Sequence, residues 1–300
     1  MTTTAAAAGT WALAGLTVNR MGLGAMRLTR ARASGPGDRA QAISVLRRAV
    51  GLGVNHIDTA AFYFSPLRSA NELINSALAP YPDDLVITTK VWPGRDPSGE
   101  WYWAQAGQLR GQVEENLRQL GRDHLDVVNL RIPRSAESKP IGEHFAALAA
   151  LRAAGLVRHL GISNASAEQV AEAQAIAPVA CVQNRYGLEA SDSDHALLDL
   201  CGTQGIAFVP FFAIAGPAAS GGAAAPADES VLAIARAHDA TPAQVRLAWT
   251  LHRGPHVLAI PGTSDPAHLT ENIDAAALRL SPEEVRSLAA TPLPHGAPPS

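Results

Sequence analysis

The chain has 300 residues, of which 47% are hydrophobic and 17% are charged, and its formal net charge is −3. This composition is typical of a globular protein, and the weak negative charge gives no electrostatic reason to expect nucleic acid or an anionic membrane as a partner. No apolar run approaches the roughly 18 residues that a membrane span needs, so we expect a soluble protein that binds a small molecule.

The start of the chain predicts a frayed segment and then a small hairpin. Residues 1–9 lack the basic region and the apolar core of a secretion signal, and we expect them to be frayed. Two short apolar runs at residues 11–13 and 16–18, joined by Ala-Gly, predict a β-hairpin ahead of the main fold.

Eight apolar, β-prone runs follow, and helical signals fill the intervals between them. The strands are predicted at residues 21–26, 54–58, 85–90, 126–132, 157–162, 179–183, 206–210 and 257–261. The helices are predicted at residues 39–52, 69–78, 109–120, 141–154, 195–201 and 229–237, after the capping residues Ser166, Thr241 and Ser281, and through residues 271 and 272. This alternation predicts an α/β fold, a (β/α)8 TIM barrel in one domain over residues 1–300. No Gly-x-Gly-x-x-Gly opens a helix after the first strand, which counts against a Rossmann domain.

Three segments between these elements are predicted to be loops. Residues 27–39 are rich in Gly, Pro and Arg, residues 92–103 are rich in Trp, and residues 215–227 are almost all Ala, Gly, Pro and Ser. The last of these is predicted to be mobile, because its side chains bury too little surface to offset ordering entropy. The substrate pocket would be formed by the first two loops and the end of the chain, so the substrate cannot be read from the sequence.

An acid, a phenol and an amine follow two consecutive predicted strands. Asp58 ends one strand, Tyr63 lies five residues further on, and Lys90 ends the next strand. In a parallel barrel these strand ends share one rim, where the chemistry of such folds is built. A lysine beside a tyrosine favours the phenolate, and an aspartate keeps the lysine charged and aimed, so the trio suits proton donation to a carbonyl oxygen. The alternative for each residue is a structural ion pair or a solvent-exposed aromatic side chain.

The sequence Ile-Asp-Thr-Ala-x-x-Tyr at residues 57–63, followed by Thr-Lys-Val at residues 89–91, resembles the active site of the aldo-keto reductase family. The resemblance extends from about residue 18 to about residue 288. It implies a barrel sealed at its bottom by the N-terminal hairpin, a loop at residues 215–227 that folds over the cofactor, and NADPH as that cofactor, with NADH possible. The implied activity is reduction of an aldehyde or ketone, or the reverse oxidation, with Tyr63 as proton donor.

The resemblance also implies a set of cofactor-binding residues at the strand ends. Ser163, Asn164 and Gln183 would bind the carboxamide and Phe211 the nicotinamide ring, while Thr263 and Ser264 would meet the 2′-phosphate, with Glu271 and Asn272 on the adenine. The complete set is Gly24, Ala25, Met26, Asp58, Ser163, Asn164, Gln183, Phe211, Gly262, Thr263, Ser264, His268, Glu271 and Asn272. Tight packing alone is an equal alternative for Gly24, and capping of a strand end is one for Asn164.

The chain departs from the family pattern at two places. Arg131 stands where the family usually has a histidine, so the implied catalytic set is Asp58, Tyr63, Lys90 and Arg131. Its alternative is to turn outward and pair with a carboxylate. His268 stands where an arginine is common, so the preference for NADPH over NADH is expected to be weaker.

Three functions remain open at this point. The first is an NADP-dependent reductase of aldehydes or ketones. The second is a nicotinamide-binding regulatory or sensor protein with weak or vestigial catalysis, which Arg131 leaves open. The third is a phosphosugar barrel enzyme without nicotinamide, which requires the carboxamide-like residues to be coincidental.

The cysteines and histidines give no metal signal. Cys181 and Cys201 have no metal-type spacing between them or to a histidine, and they are predicted to be buried, reduced thiols of a cytoplasmic protein. We expect no metal, a small carbonyl compound as substrate, no nucleic-acid or membrane partner, and a monomer or weak homo-oligomer.

Overall fold

The computed structural model describes residues 2–29, 38–136, 139–214 and 229–290. Its strands are β1 (Thr10–Leu13), β2 (Leu16–Asn19), β3 (Leu23–Gly24), β4 (His56–Asp58), β5 (Phe64–Ser65), β6 (Arg68–Ser69), β7 (Val86–Val91), β8 (Pro93–Arg95), β9 (Trp101–Trp103), β10 (Leu125–Arg131), β11 (Val157–Ser163), β12 (Val179–Gln183) and β13 (Ala207–Phe208). Its α-helices are α1 (Arg39–Gly51), α2 (Ala70–Leu78), α3 (Leu109–Leu120), α4 (Gly142–Ala153), α5 (Ala167–Ile176), α6 (Asp192–Thr203), α7 (Glu229–Ala237), α8 (Pro242–His252), α9 (Pro266–Asp274) and α10 (Pro282–Ala290).

Seven parallel strands form one curled sheet, and an eighth segment closes it. The strand order is β13-β12-β11-β10-β7-β4-β3. The eighth segment, residues 257–261, makes single parallel bridges on both sides, Phe208 with Val257 and Met21 with Ala259. The Leu258 N–H donates to the Phe208 carbonyl at 2.9 Å, and the Gly22 N–H donates to the Ala259 carbonyl at 2.8 Å. The predicted (β/α)8 barrel is therefore confirmed, with its eighth strand reduced to two bridges.

The N-terminal hairpin packs into the barrel as a plug. Strands β1 and β2 pair antiparallel from Thr10 with Asn19 to Leu13 with Leu16. Leu13 and Val18 are fully buried in one cluster with residues of the barrel strands. The members of this cluster are Leu13, Val18, Val86, Val127, Cys181, Ala207, Val209 and Leu258.

The first residues of the chain are not frayed as a whole, against expectation. Ala5–Ala8 form a 3-10 helix, and Ala5 is fully buried. The Ala5 N–H donates to the Leu52 carbonyl at 2.9 Å, and Arg279 Nη2 donates to the Ala7 carbonyl at 2.6 Å. The alanines are small enough to pack closely, and these two hydrogen bonds hold the segment to the barrel.

Three predicted strands are shorter than expected, including β4, which contains only His56–Asp58. Strand β3 contains only Leu23–Gly24, and Ala25–Thr29 form a 3-10 helix, so Ala25 and Met26 lie beyond the strand. Strand β13 contains only Ala207–Phe208.

The Trp-rich segment at residues 92–103 is a β-hairpin, so its prediction as a loop is wrong. Strands β8 and β9 pair antiparallel around a turn in which Asp96 Oδ1 accepts the Glu100 N–H at 3.0 Å and the Ser98 hydroxyl at 2.6 Å. Gly99 supplies a left-handed residue, with φ of 93°. The predicted mobile loop at residues 215–227 and most of the loop at residues 27–39 lie outside the described residues.

Both cysteines are free and buried, as predicted. Burial raises the pKa of each thiol, Cys181 and Cys201, to about 12. Within the four described ranges, no helix is long and apolar enough to cross a membrane.

Arg20 joins the plug, the eighth segment and α8 at the bottom of the barrel. Its guanidinium donates to the carbonyls of Val257 at 3.1 Å, Ala8 at 3.0 Å and Gly254 at 2.6 Å, and also to that of Leu251. These carbonyls belong to three separate segments, so one side chain satisfies acceptors that no secondary structure would reach.

We expect Arg20→Met to lower the free energy of unfolding by about 3 kcal/mol, because several partly buried carbonyls lose a charged donor. Urea unfolding measures the change. Arg118→Met is the control, since Arg118 is an exposed arginine that pairs with Glu115, and it should leave stability nearly unchanged. Equal stability of the two variants would contradict a bracing role for Arg20.

Candidate active site

A buried ion pair lies at the C-terminal ends of β4 and β7. Lys90 Nζ donates to Asp58 Oδ1 at 2.6 Å and to Oδ2 at 2.8 Å, and it also donates to the Thr59 carbonyl at 3.0 Å. The two side chains are only 2% and 4% exposed. Because the strands are adjacent and parallel, with Asp58 opposite Thr88, Asp58 and Lys90 lie on the same rim. Asp58 and Lys90, which the sequence analysis assigned to one rim, are in direct contact there.

Tyr63 lies beside this pair, in the turn after β4. The Lys90 ammonium is 4.9 Å from the centre of the Tyr63 ring. The ring also packs edge-on against Phe62, with centroids 5.1 Å apart. The predicted trio of acid, amine and phenol is thus one contiguous cluster in a cleft.

Arg131, the last residue of β10, lines the same cleft as Tyr63 and Lys90. Its guanidinium carbon is 5.9 Å from the ring centre of Phe62 and 5.9 Å from that of Phe211. In the described part of the chain, no carboxylate forms an ion pair with it. The guanidinium therefore faces the cleft and does not take the outward alternative.

His56 lies two residues before Asp58 and is almost completely buried. Burial lowers the pKa of His56 to about 4, against a smaller raising effect of Asp58. Its Nε2 lies 3.3 Å from the Thr88 hydroxyl oxygen. With its pKa lowered in this way, the His56 imidazole adds no positive charge next to the ion pair at neutral pH.

Gln183 supports the ion pair, which the sequence did not indicate. Its Nε2 donates to Asp58 Oδ2 at 2.7 Å, and the side chain is fully buried. The amide predicted to bind a carboxamide is therefore hydrogen-bonded to the Asp58 carboxylate.

Two further predicted carboxamide ligands lie at the end of β11, where Ser163 is the last residue of the strand and Asn164 follows it. Ser163 is fully buried, and its hydroxyl has no hydrogen-bond partner among the described residues. Asn164 adopts a left-handed backbone with φ of 58° and donates its side-chain N–H to the Ile132 carbonyl at 3.2 Å. A buried hydroxyl without a partner is costly, and a polar ligand at this rim would satisfy it.

Gly24 and Gly262 pack backbone against backbone at the rim. A Cβ on Gly24 would lie 2.7 Å from the Ile260 carbonyl oxygen, and one on Gly262 would lie 2.7 Å from the Gly24 carbonyl oxygen. Close packing thus requires glycine at both positions, and cofactor contact by these glycines stays a prediction. The residues that line the cleft are Gly24, Met26, Arg27, Asp58, Tyr63, Lys90, Arg131, Gln183, Pro210, Phe211, Phe212, Ala213, Ile214, Leu247, Ile260, Pro261 and Gly262. Ala25 is buried and is absent from that lining.

The predicted adenosine segment leads into α9, and an aspartate caps that helix. The Asp265 carboxylate accepts the Ala267 N–H at 2.8 Å, and the Thr263 hydroxyl accepts the Asp265 N–H at 3.0 Å. The backbone carbonyl of Ser264 accepts a hydrogen bond from Gln41 at 2.6 Å. His268 is exposed, so an acidic cap and an imidazole stand where a phosphate was expected. The Asp-Pro pair before the helix is the sequence signal that could have predicted this cap.

Glu271 and Asn272, the predicted adenine ligands, lie in the last turns of α9. Asn272 is 7% exposed, and Glu271 is partly buried and accepts the Gln244 amide at its backbone carbonyl at 3.0 Å. Both residues lie on the helix that Asp265 caps, and their contact with a cofactor stays a prediction.

A buried chain of amides and hydroxyls lies behind the ion pair. The Thr59 hydroxyl donates to Asn71 at 2.7 Å, Asn71 donates to Asn116 at 2.9 Å, and the Thr89 hydroxyl donates to Asn116 at 2.6 Å. This network joins the ends of β4 and β7 to α2 and α3. Asparagine on the buried face of a helix was the available signal, but its partners could not be read from the sequence.

The barrel and its rim define a class of protein, a (β/α)8-barrel enzyme with an acid–base cluster in a cleft at the C-terminal ends of its strands. A sequence profile of the Aldo/keto reductase family matches residues 20–291. The chain belongs to this family of oxidoreductases.

Individual relatives match over nearly their whole length. The chain is 44% identical over 286 residues to Pyridoxine 4-dehydrogenase of Escherichia coli (strain K12), covering 93% of this chain and 96% of that protein. It is 38% identical over 282 residues to an uncharacterized oxidoreductase of Schizosaccharomyces pombe, covering 93% and 88%. The crystal structure of an aldo-keto reductase from Klebsiella pneumoniae in complex with NADPH superposes with a TM-score of 0.77 at 27% identity, covering 96% and 94%.

We expect Asp58→Asn to lower the free energy of unfolding by about 3–5 kcal/mol, because it leaves the buried Lys90 ammonium without a carboxylate. Asp58→Asn/Lys90→Met should recover part of this loss, since it contains no unpaired buried charge. Urea unfolding of the two variants and of Lys90→Met completes a double-mutant cycle. Additive losses in the double variant would mean that the two side chains stabilise the fold independently.

Proposed function

We propose that this protein catalyses NADPH-dependent reduction of an aldehyde or ketone to the alcohol, or the reverse oxidation, with Tyr63 as the proton donor. The observation that carries the proposal is the Lys90 ammonium, held by Asp58 and placed 4.9 Å from the Tyr63 ring in a cleft. Family membership supports oxidoreductase chemistry in general, and this cluster supports the assignment of the donor.

Proton transfer follows from the arrangement of the trio. When bound, a reduced nicotinamide supplies the hydride for the carbonyl carbon. Tyr63 donates its hydroxyl proton to the carbonyl oxygen as negative charge develops there. Lys90 stabilises the phenolate that remains, and Asp58 keeps the ammonium charged and aimed. Gln183 fixes the carboxylate by donating to its second oxygen.

The rim residues fit a nicotinamide dinucleotide. Ser163 offers a buried hydroxyl without a protein partner, which a carboxamide would satisfy, and Asn164 lies next to it. Phe211 offers an apolar ring at the cleft wall for stacking. Thr263 and Ser264 lie before α9 as the residues that would hold the adenosine end. The Klebsiella relative crystallised with NADPH supports the choice of cofactor.

The first carbonyl to test is pyridoxal, the aldehyde related to pyridoxine. The relative at 44% identity is named Pyridoxine 4-dehydrogenase, and its match covers nearly all of both chains. A planar ring suits a cleft with Tyr63, Phe211 and Phe212 in its lining. The experiment is NADPH oxidation followed at 25 °C with pyridoxal and with simple aldehydes. Cofactor binding without turnover on any carbonyl would favour the regulatory alternative.

We expect Tyr63→Phe to abolish carbonyl reduction and leave NADPH binding nearly unchanged, because it removes the proton and keeps the ring. Steady-state NADPH oxidation measures the first effect, and cofactor fluorescence measures the second. Tyr102→Phe is the matched control, since Tyr102 is an exposed tyrosine of β9, and it should keep wild-type turnover. Wild-type turnover in Tyr63→Phe would show that another group donates the proton.

We expect NADPH to bind more tightly than NADH by a margin that the residues before and in α9 keep small. The Asp265 carboxylate caps the helix and its charge opposes a 2′-phosphate, and His268 stands where an arginine would add a permanent positive charge. Asp265→Asn keeps a capping side chain without the charge, and His268→Arg adds a charge. Each should raise the ratio of NADH to NADPH dissociation constants several-fold.

Equilibrium titration of both cofactors checks this expectation. Asp274→Asn, a charge change at the other end of α9, is the control and should leave the ratio unchanged. An unchanged ratio in both Asp265→Asn and His268→Arg would mean that the phosphate binds elsewhere.

A further inference from the structure

Arg131 is a cation at the mouth of the catalytic cleft that no carboxylate neutralises in the described part of the chain. Its guanidinium carbon lies 5.9 Å from the ring centres of both Phe62 and Phe211. Ring faces attract a cation and restrict its movement, but they leave its formal charge intact. By contrast, the buried cations Lys90 and Arg246 meet the carboxylates of Asp58 and Glu189, at 2.6 Å and 3.1 Å.

The charge of Arg131 is added to a pair that is already neutral. Asp58 and Lys90 compensate one another deeper in the same cleft. Asn129 is opposite Lys90 in the register of β10 and β7, so Arg131 stands two residues further toward the mouth. Two residues along a strand are about 6.6 Å, and neighbouring strands are about 4.8 Å apart. The backbones of Arg131 and Lys90 are therefore about 8 Å apart, and both side chains line the same cleft as Tyr63, so an anionic group at Arg131 and a carbonyl at Tyr63 would share that cleft.

We propose that Arg131 makes the protein selective for carbonyl compounds with an ionised oxygen beside the carbonyl group, such as aromatic aldehydes with an ortho phenolate. This inference rests on the proposed reductase function. In such a molecule the aldehyde group and the phenolate oxygen are on adjacent ring carbons, so Tyr63 would donate to the aldehyde oxygen and Arg131 to the phenolate oxygen. The guanidinium presents several donors in a fixed plane, and charged hydrogen bonds of this kind are strong. Pyridoxal, with its ring hydroxyl next to the aldehyde, belongs to this class.

The proposed selectivity makes no new demand on the reaction. Hydride still goes to the aldehyde carbon and the Tyr63 proton to the aldehyde oxygen, while the phenolate remains unchanged as an anion paired with Arg131. The positive charge near the ring also favours the ionised form of the substrate hydroxyl, so that form binds in preference to the neutral one.

The test compares salicylaldehyde with 2-methoxybenzaldehyde, which has the same ring and aldehyde but no ionisable hydroxyl. We expect the ratio of their kcat/KM values to fall about tenfold or more in Arg131→Met, because one charged contact is lost. Arg131→Lys, which keeps the charge without the planar fork, should lie between. In the wild type the preference should rise with pH as the salicylaldehyde hydroxyl ionises, and this rise should vanish in Arg131→Met.

Arg185→Met is the matched control. Arg185 also lies 5.9 Å from a phenylalanine ring of the rim, that of Phe212, but it is exposed and does not line the cleft. This variant should keep the wild-type ratio. A loss of selectivity in Arg185→Met equal to that in Arg131→Met would overturn the assignment to Arg131.

Calorimetric binding of the two aldehydes, with and without NADP⁺, separates the inference from the proposed function. Tighter binding of salicylaldehyde that depends on Arg131, without reduction of either aldehyde, would support the anion site and overturn the reductase. Equal binding and equal kcat/KM for both aldehydes in the wild type would overturn the anion site and leave the reductase intact. A uniform loss on both aldehydes in Arg131→Met, with an unchanged ratio, would also overturn it.

Discussion

The burial of one ammonium and one carboxylate is the constraint around which the rim is built. Removing each charge from water costs several kcal/mol, and only good geometry with further hydrogen bonds offsets that cost. Lys90 and Asp58 offset this cost because they hydrogen-bond to each other, and in addition Lys90 donates to the Thr59 carbonyl and Asp58 accepts from the Gln183 amide. The hydroxyl of Thr59, next to the pair, also needs a partner. The amides Asn71 and Asn116 supply the hydrogen bonds, at buried helix positions where an apolar side chain would be usual.

The cleft separates two electrostatic tasks by depth. At its base, the Asp58–Lys90 pair is neutral and fixed, so its effect is local and directed at Tyr63. Near the mouth, Arg131 carries a net charge between two aromatic rings, so its field reaches whatever enters. Proton transfer needs the first arrangement, whereas recognition of a substrate needs the second. In the proposed reductase, Arg131 would therefore govern the choice of substrate, while Tyr63 would remain the proton donor.

The periodicity of the sequence predicted most of the fold, since buried strands and amphipathic helices alternate clearly and their ends deliver Asp58 and Lys90. Capping boxes at Ser166 and Thr241 were equally readable, because their signals are local. The predictions that failed concern features that depend on tertiary partners or on the hydrogen bonding of a turn. The hairpin at residues 93–103 rests on a turn closed by Asp96. Partner choice by Gln183 and the weak ladder of the eighth segment arise only when distant strands meet.

The eighth segment has a consequence for how the barrel moves. The seam where it meets β3 and β13 has one ladder pair on each side, whereas the junctions among the strands β4, β7, β10, β11 and β12 have at least three pairs each. Local opening has its lowest free-energy cost where the ladder is shortest. The proposed adenosine segment begins at this seam, so a bound dinucleotide would act as a clasp. Part of its binding free energy would then appear as less frequent local opening of the barrel wall at this seam.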